Sequence, residues 1–227
     1  MDALLREGAM VVGIGRDKSK VTHLLNSYPD DKLCFVHLDL SLVDKIEANF
    51  EKEIIPKAKF DGLILCAGKE ETLPLSLCKI DKITSLFNIN VFACIEILRI
   101  FSKKMVSNDG GSIIFLSSVM AELGEAGKIG YCATKSALLG VVRSSALELL
   151  KRNIRVNAIA PAIVNTPLTT KLFSGLSDEN ITEIEKMHPM GFGETSDVVP
   201  MIKFLLSDQS RWITGQNIKI DGGYSIK

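Results

Sequence analysis

Short apolar runs alternate with longer stretches of helical periodicity along the whole chain. Apolar runs at residues 9–15, 33–38, 62–66, 111–116, 154–159 and 218–221 predict strands. The run at 62–66 is uninterrupted, which predicts a strand covered on both faces. Between these runs, residues 18–27, 41–55, 81–106, 130–150 and 196–206 predict helices. Residues 2–7 predict the end of another helix, capped by Gly8. Ser41 with Asp44 suggests a capping box, and Ser196 an N-cap ahead of Pro200, which the first helical turn tolerates. Residues 161–170, rich in Pro and Thr, predict a loop. Strands alternate with helices and no tight hairpin joins two strands. The pattern therefore predicts an α/β fold with a doubly wound parallel sheet, where ligands sit at the carboxyl ends of the strands. No repeat, low-complexity tract or linker interrupts residues 1–227, so one domain is expected.

Composition narrows the function. Apolar residues fill 46% of the 227 positions and charged residues 24%, as in soluble globular proteins. Lys plus Arg and Asp plus Glu both number 27, so the zero net charge argues against nucleic-acid and anionic-membrane partners. No apolar run is expected to serve as a membrane span, and residues 1–8 lack the character of a secretory signal. The five cysteines, Cys34, Cys66, Cys78, Cys94 and Cys132, form no Cys-x-x-Cys pair. Disulfide frameworks belong to small secreted domains, so these are expected to be reduced, mostly buried thiols in a cytoplasmic protein.

The sharpest chemical signal is Tyr131-Cys-Ala-Thr-Lys135 at the start of a predicted helix. A spacing of four puts both side chains on one helical face. An ammonium there is expected to lower a phenol pKa from about 10 towards neutrality and make Tyr131 a general acid/base. A buried tyrosine beside a surface lysine produces the same string, so the surroundings decide. Upstream, Gly111-Ser-Ile-Ile-Phe-Leu-Ser-Ser118 reads as a strand ending in two serines. Downstream stand Ile154-Arg-Val-Asn-Ala-Ile-Ala-Pro161, Ile213-Thr-Gly-Gln216 and Ile220-Asp-Gly-Gly223. In this order the motifs resemble those of the short-chain dehydrogenase/reductase family, over essentially the whole chain. The resemblance implies a Rossmann-type fold and an oxidoreductase that moves a hydride between a nicotinamide and a carbonyl/alcohol substrate.

The resemblance also implies roles. Tyr131 would exchange a proton with the substrate oxygen, Lys135 would lower its pKa and hold the nicotinamide ribose, and Ser118 would bond the substrate oxygen and the developing oxyanion. Asn90, in Asn88-Ile-Asn90-Val, matches the helix asparagine that anchors a proton-relay water; a polar side chain satisfying backbone in a kinked helix is the alternative. Ser117 is the alternative serine, but alternation along a strand lets only one of the two face the site. Asp39 and Leu40 fall where relatives hold the adenine. Cys66-Ala67-Gly68 stands where the family usually has Asn-Ala-Gly: its small residues still allow close approach to the cofactor, but Cys66 offers no side-chain amide. Pro161-Ala-Ile-Val-Asn-Thr166 matches the family's Pro-Gly segment, with Ala162 replacing the glycine. There the Val164 backbone and the Thr166 hydroxyl would bind the carboxamide. Gly15 stands where NAD-dependent members carry an acid, and Arg16 suits a 2′-phosphate, so NADP is expected ahead of NAD. A solvated surface role is the alternative for Arg16.

Val12-Gly-Ile-Gly-Arg16 superficially resembles the family's phosphate loop. Yet only 24 residues separate Gly15 from Asp39, room for one helix and one strand where the loop would need two strands. Leu4-Leu-Arg-Glu-Gly-Ala9 instead resembles the end of the family's first helix. The first strand, glycine loop and opening helical turns, roughly 20 residues, are thus expected to be missing from this sequence. Either the sequence omits residues of the native protein, or it is a shortened form with weaker cofactor binding, or it is a non-enzymatic relative.

The leading expectation is an NADP-dependent reductase or dehydrogenase without a metal, forming a homotetramer or homodimer through helices 81–106 and 130–150. A cofactor-poor homologue acting as a binding or scaffold subunit is the alternative. Residues 167–192 are expected to form a substrate flap, with Met187 and Met190 covering the site. His23, His37 and His188 show no metal-ligand spacing. Glu122 and Glu125 read as solvated loop acids, either of which could face a polar substrate.

Overall fold

The computed structural model describes residues 1–226. Helix α1 (Asp2–Leu5) leads into β1 (Val11–Gly15), which pairs in parallel with β2 (Leu33–His37). Strands β3 (Phe60–Leu65), β4 (Ser107–Leu116), β5 (Arg155–Pro161) and β6 (Asn217–Ile220) form a second parallel sheet in that order. The expected parallel α/β architecture is therefore present, divided into two sheets. Among the described residues, β1 and β3 each pair along one edge alone. Apolar side chains bridge the division, because Val12 and Ile14 of β1 pack on the core that holds Leu65, Ile113 and Phe115.

Strand alternation builds a core on each face of the larger sheet. Ile113 and Phe115 join Ile97, Ile100, Leu138 and Val142 on one side. Ile114, between them, joins Val198 and Leu205 on the other. All three β4 residues are fully buried, as a strand sandwiched between helical layers requires.

Helices α2 (Thr22–Ser27) and α3 (Ile46–Asn49) are shorter than predicted and are extended by 3₁₀ and π turns. The Ser41–Asp44 capping box does not form; instead the Asp39 carboxylate accepts from Ser41 N at 2.9 Å and from Ser41 Oγ at 2.7 Å. The long helix expected over 81–106 is α4 (Ile80–Phe87) and α5 (Ala93–Phe101), joined by a π turn at Asn88–Phe92. The whole Ile80–Phe101 helix has 22 residues and is apolar enough, by length and composition, to cross a membrane, contrary to the sequence expectation. Its apolar side packs inward, where Leu86, Ile97, Ile100 and Phe101 are buried. Helix α6 (Ile129–Leu149) follows β4. A β-carbon on Gly130 would stand 2.9 Å from Leu86 Cδ1, so the glycine lets α6 start close against α4.

The expected loop 161–170 is helical from Pro167 onward. Thr166 caps α7 (Pro167–Phe173) and proline takes the first helical position, where its missing N–H costs nothing. Helix α8 (Asp178–Lys186) completes the expected flap. Helix α9 (Thr195–Leu206) is capped by Glu194 rather than Ser196, with Glu194 and Asp197 each accepting the other's backbone N–H.

Candidate active site

The loops after β3, β4 and β5 meet at a cavity of about 440 Å³ at the carboxyl ends of the strands. Ser118, Tyr131 and Lys135 all line it. Strand β4 ends at Leu116, and Lys135, in the second turn of α6, donates from Nζ to the Leu116 carbonyl at 2.7 Å. The same nitrogen stands 5.6 Å from the centre of the Tyr131 ring. Burial pushes the Lys135 ammonium down to about 8.

Tyr131 departs from expectation. Burial, and then the Glu70 carboxylate, raise its phenol above the ordinary range, against a hydrogen bond with Ser118 that pulls the other way. An ammonium carries three N–H donors, so the bond to the Leu116 carbonyl leaves Lys135 two more.

Ser118 heads a 3₁₀ turn, Val119–Ala121, and its Oγ accepts from Met120 N at 3.2 Å. Ser117 lines the cavity as well. The backbone stays extended past the end of β4: Ser117 N donates to the Ile159 carbonyl of β5 at 2.8 Å and Ser118 is extended. Ser117 Oγ is buried and has no hydrogen-bond partner among the described residues.

Asn90 sits in the π turn and is 1% exposed. Its Oδ1 accepts from Lys69 N at 2.8 Å, and its Nδ2 donates to Lys69 O at 2.9 Å and to Thr134 Oγ1 at 3.0 Å. It thus clamps the loop after β3 to α6.

Several cofactor residues gather at the same cavity: Cys66, Gly68, Pro161, Val164 and Thr166 line it, whereas Ala67 does not. A β-carbon on Gly68 would stand 3.5 Å from Asn90 Oδ1 and 3.8 Å from Lys135 Nζ, so the glycine keeps space open beside the ammonium. Cys66 is open to the cavity, yet the surrounding protein desolvates its thiol and raises it to about 11. The Thr166 hydroxyl already contacts Thr169 at N (3.4 Å) and Oγ1 (3.2 Å), as a helix cap. Arg16 and Asp39 lie together after β1 and β2, 4.0 Å apart, away from this cavity. Leu40 is only 9% exposed and its side chain belongs to the core, so it offers a ligand backbone at most. These residues suit the nicotinamide end of a dinucleotide: a protonated acid, an ammonium and an open glycine face one space.

Sequence reasoning missed an ion pair in the cavity wall. Lys128 Nζ stands 2.5 Å from Glu70 Oε1 and 3.5 Å from Glu125 Oε2, and all three residues line the cavity. Lys128 precedes Tyr131 by three residues, one turn along, a spacing that could have flagged it. Glu70 had no such local signal. Glu122 is an exposed loop acid, as expected, and it also bonds Asn217 and Lys219 at 2.8 Å each, tying its loop to β6. Met187 lines the cavity, but Met190 is 84% exposed and covers nothing. Among the described residues, no trio of His, Cys, Asp or Glu is placed to hold a metal ion. The five cysteines are free thiols, but against the expectation of mostly buried ones Cys94 alone is buried; Cys34, Cys78 and Cys132 are half-buried and Cys66 is exposed.

The enoyl-(acyl carrier protein) reductase family model matches residues 2–225. A 3-oxoacyl-(acyl-carrier-protein) reductase of Thermotoga maritima is 34% identical over 184 residues, 81% of this chain and 73% of that protein. Carbonyl reductase family member 4 of Xenopus laevis is 33% identical over 189 residues, 83% of this chain and 76% of that one. A solved 4-hydroxyisoleucine dehydrogenase complexed with NADH superposes with a TM-score of 0.90 at 29% identity, over 100% of this chain and 92% of that one. ElxO with NADP bound superposes with a TM-score of 0.84 at 28% identity, over 99% and 92% of the two chains. With this fold and this extent of similarity, the chain belongs to the short-chain dehydrogenase/reductase family of NAD(P)-using oxidoreductases.

Proposed function

We propose that the protein reduces a carbonyl to an alcohol with NADP(H), Tyr131 donating the proton. The observation that carries this is the convergence of Ser118, Tyr131 and Lys135 on one cavity. A bound nicotinamide supplies the hydride. Ser118 Oγ and Tyr131 Oη hold the carbonyl oxygen and stabilise the charge that grows on it. Tyr131 then delivers its proton, and its raised pKa keeps that proton in place at neutral pH. Lys135 binds the ribose, and Asn90 is a positioning residue that fixes the loop carrying Gly68. The test is a panel of ketones and aldehydes offered with NADPH or NADH, followed by loss of reduced cofactor. Reduction of no member would reject this function.

NADP is the proposed cofactor because Arg16 offers a guanidinium next to Asp39. Ser41 holds the Asp39 carboxyl below its usual range, so this carboxylate stays ionised and would repel a 2′-phosphate without Arg16. Arg16→Asp is expected to shift the NADPH/NADH ratio of kcat/KM about 10- to 100-fold towards NADH. An unchanged ratio would make Arg16 a surface residue only.

Homotetramers or homodimers are proposed as the working form. Phe92 and Ile95 on one helix and Leu147 and Leu150 at the end of another are 42–74% exposed, apolar surface that association would cover. Sedimentation at micromolar concentration is expected to give at least twice the 24.8 kDa chain mass; a monomer overturns this. The free thiols suit a reducing cytoplasm, the proposed location.

A further inference from the structure

Two ammoniums flank the Tyr131 phenol along one stripe of α6. Lys128, Tyr131 and Lys135 stand at i, i+3 and i+7, and the Cys132 amide donates to the Lys128 carbonyl at 2.8 Å, so Lys128 already follows the helical path. Neighbours on such a stripe lie about 5–6 Å apart at Cβ. All three residues line the cavity. Lys135 belongs to the chemistry proposed above, whereas Lys128 has no part in it.

The Lys128 ammonium is closed on Glu70 at 2.5 Å, with Glu125 second at 3.5 Å. The backbone on either side of Glu70 is fixed. The Asn90 side chain holds both the N–H and the carbonyl of the preceding Lys69, and Leu73 N donates to the Gly127 carbonyl at 2.8 Å, just ahead of α6. The side chains of Glu70 and Lys128 are 14% and 10% exposed, so water screens their charges weakly. That of Glu125 is 40% exposed and its charge carries less far.

After burial, the Glu70 carboxylate is what most opposes ionisation of the Tyr131 phenol, and its field reaches Lys135 too. The other titratable groups lining the cavity are Cys66 and Lys69 on the same loop, Glu125 ahead of α6, His188 after α8 and Tyr224 in the C-terminal turn. Among them and the adjacent Cys132, none acts on the phenol as strongly as Glu70.

We propose that Glu70 and Lys128 are positioning residues for proton transfer: the Glu70 carboxylate holds the proton on Tyr131, Lys128 masks part of that charge, and the balance between them sets the alkaline limit of carbonyl reduction. The inference rests on the carbonyl-reductase function proposed above and adds the pair that governs its acid. The two members act with opposite signs. Removing the carboxylate makes the phenolate easier to form, and removing its mask makes it harder.

Reduction of ethyl acetoacetate by saturating NADPH, followed as kcat/KM against pH, tests this. Glu70→Gln is expected to move the alkaline limb down by about one pH unit, and Lys128→Met to move it up. Lys128→Arg keeps the charge and is expected to leave the limb in place. The limb is a position on the pH axis, so partial misfolding lowers the height of the profile without moving it. A pair that only braces the loop would lower rates at every pH and leave the limb of Glu70→Gln where the wild type has it. That result overturns the proposal, as does a shift of both variants in the same direction. If ethyl acetoacetate is not reduced, the proposed function fails for that substrate, and the phenol itself decides the role of the pair. Phenolate absorbance, with the Tyr131→Phe protein subtracting Tyr28 and Tyr224, is read at the highest pH at which wild type and Glu70→Gln both stay folded. More phenolate in Glu70→Gln supports the proposal; an equal or smaller amount overturns it.

Discussion

Replacing Tyr131 with Phe is expected to lower kcat for carbonyl reduction by about 10²–10⁴-fold, the usual contribution of a positioned general acid. The substitution removes one oxygen and keeps the ring in its place at the start of α6. Cofactor affinity should change little, because Lys135 keeps its donor to Leu116 and its place beside Gly68. The pH profile adds a second signature. Because burial and Glu70 raise the Tyr131 pKa, wild-type reduction should stay level through neutrality and fall only at alkaline pH. Alcohol oxidation, which needs the phenolate, should rise with pH. Turnover numbers alongside NADPH affinity from fluorescence check both. A Tyr131→Phe enzyme with near-normal turnover would place the acid elsewhere.

Lys135→Met is expected to abolish most turnover and weaken cofactor binding, yet stabilise the cofactor-free protein. The folded pKa of about 8 lies below the ordinary 10.5, with burial as the main cause. At neutral pH the lysine is charged in both states, so the full burial penalty, about 3 kcal/mol at 1.36 kcal/mol per pKa unit, weighs on the folded state. Methionine removes it and leaves the Leu116 carbonyl without its donor, an offset of about 1 kcal/mol. The net gain is about 2 kcal/mol. Between pH 8 and 10.5 the unfolded chain binds more protons than the folded one, so wild-type stability rises with pH and the gap between the two proteins closes. Urea denaturation at several pH values checks this; a variant less stable than wild type at pH 7 would show that the lysine is structurally required.

The alternation of apolar runs and helical stretches made the parallel α/β layout legible, because each strand must bury both faces and so reads as a short apolar block. Tyr131 and Lys135 were legible because a spacing of four puts both on one face of α6, and Ser118 through the resemblance of its motif to the family's. What stayed hidden depends on long-range contact. Glu70 meets Lys128 across 58 residues, and no local pattern announces that pair. The raised Tyr131 pKa follows from burial and from Glu70, so a rule based on the Lys135 neighbour pointed the wrong way. The π turn at Asn88–Phe92 keeps helical periodicity almost intact, which is why one unbroken helix was expected. Helix α7 was missed although Thr166-Pro167 is a sound start signal, because the Pro- and Thr-rich stretch reads as loop.

Burial divides the molecule into slow- and fast-opening parts. Strands β4 and β5 are buried over most of their length, so their amides reach solvent only when the central layers come apart. Helices α7 and α8 contain no buried residue and have little to hold them closed. Amide hydrogen exchange should therefore be graded: slow along β4 and β5, fast over residues 167–186. Ligand entry and exit can then proceed by local opening on the α7–α8 side, while the groups that move the proton keep their spacing to the limit of global unfolding.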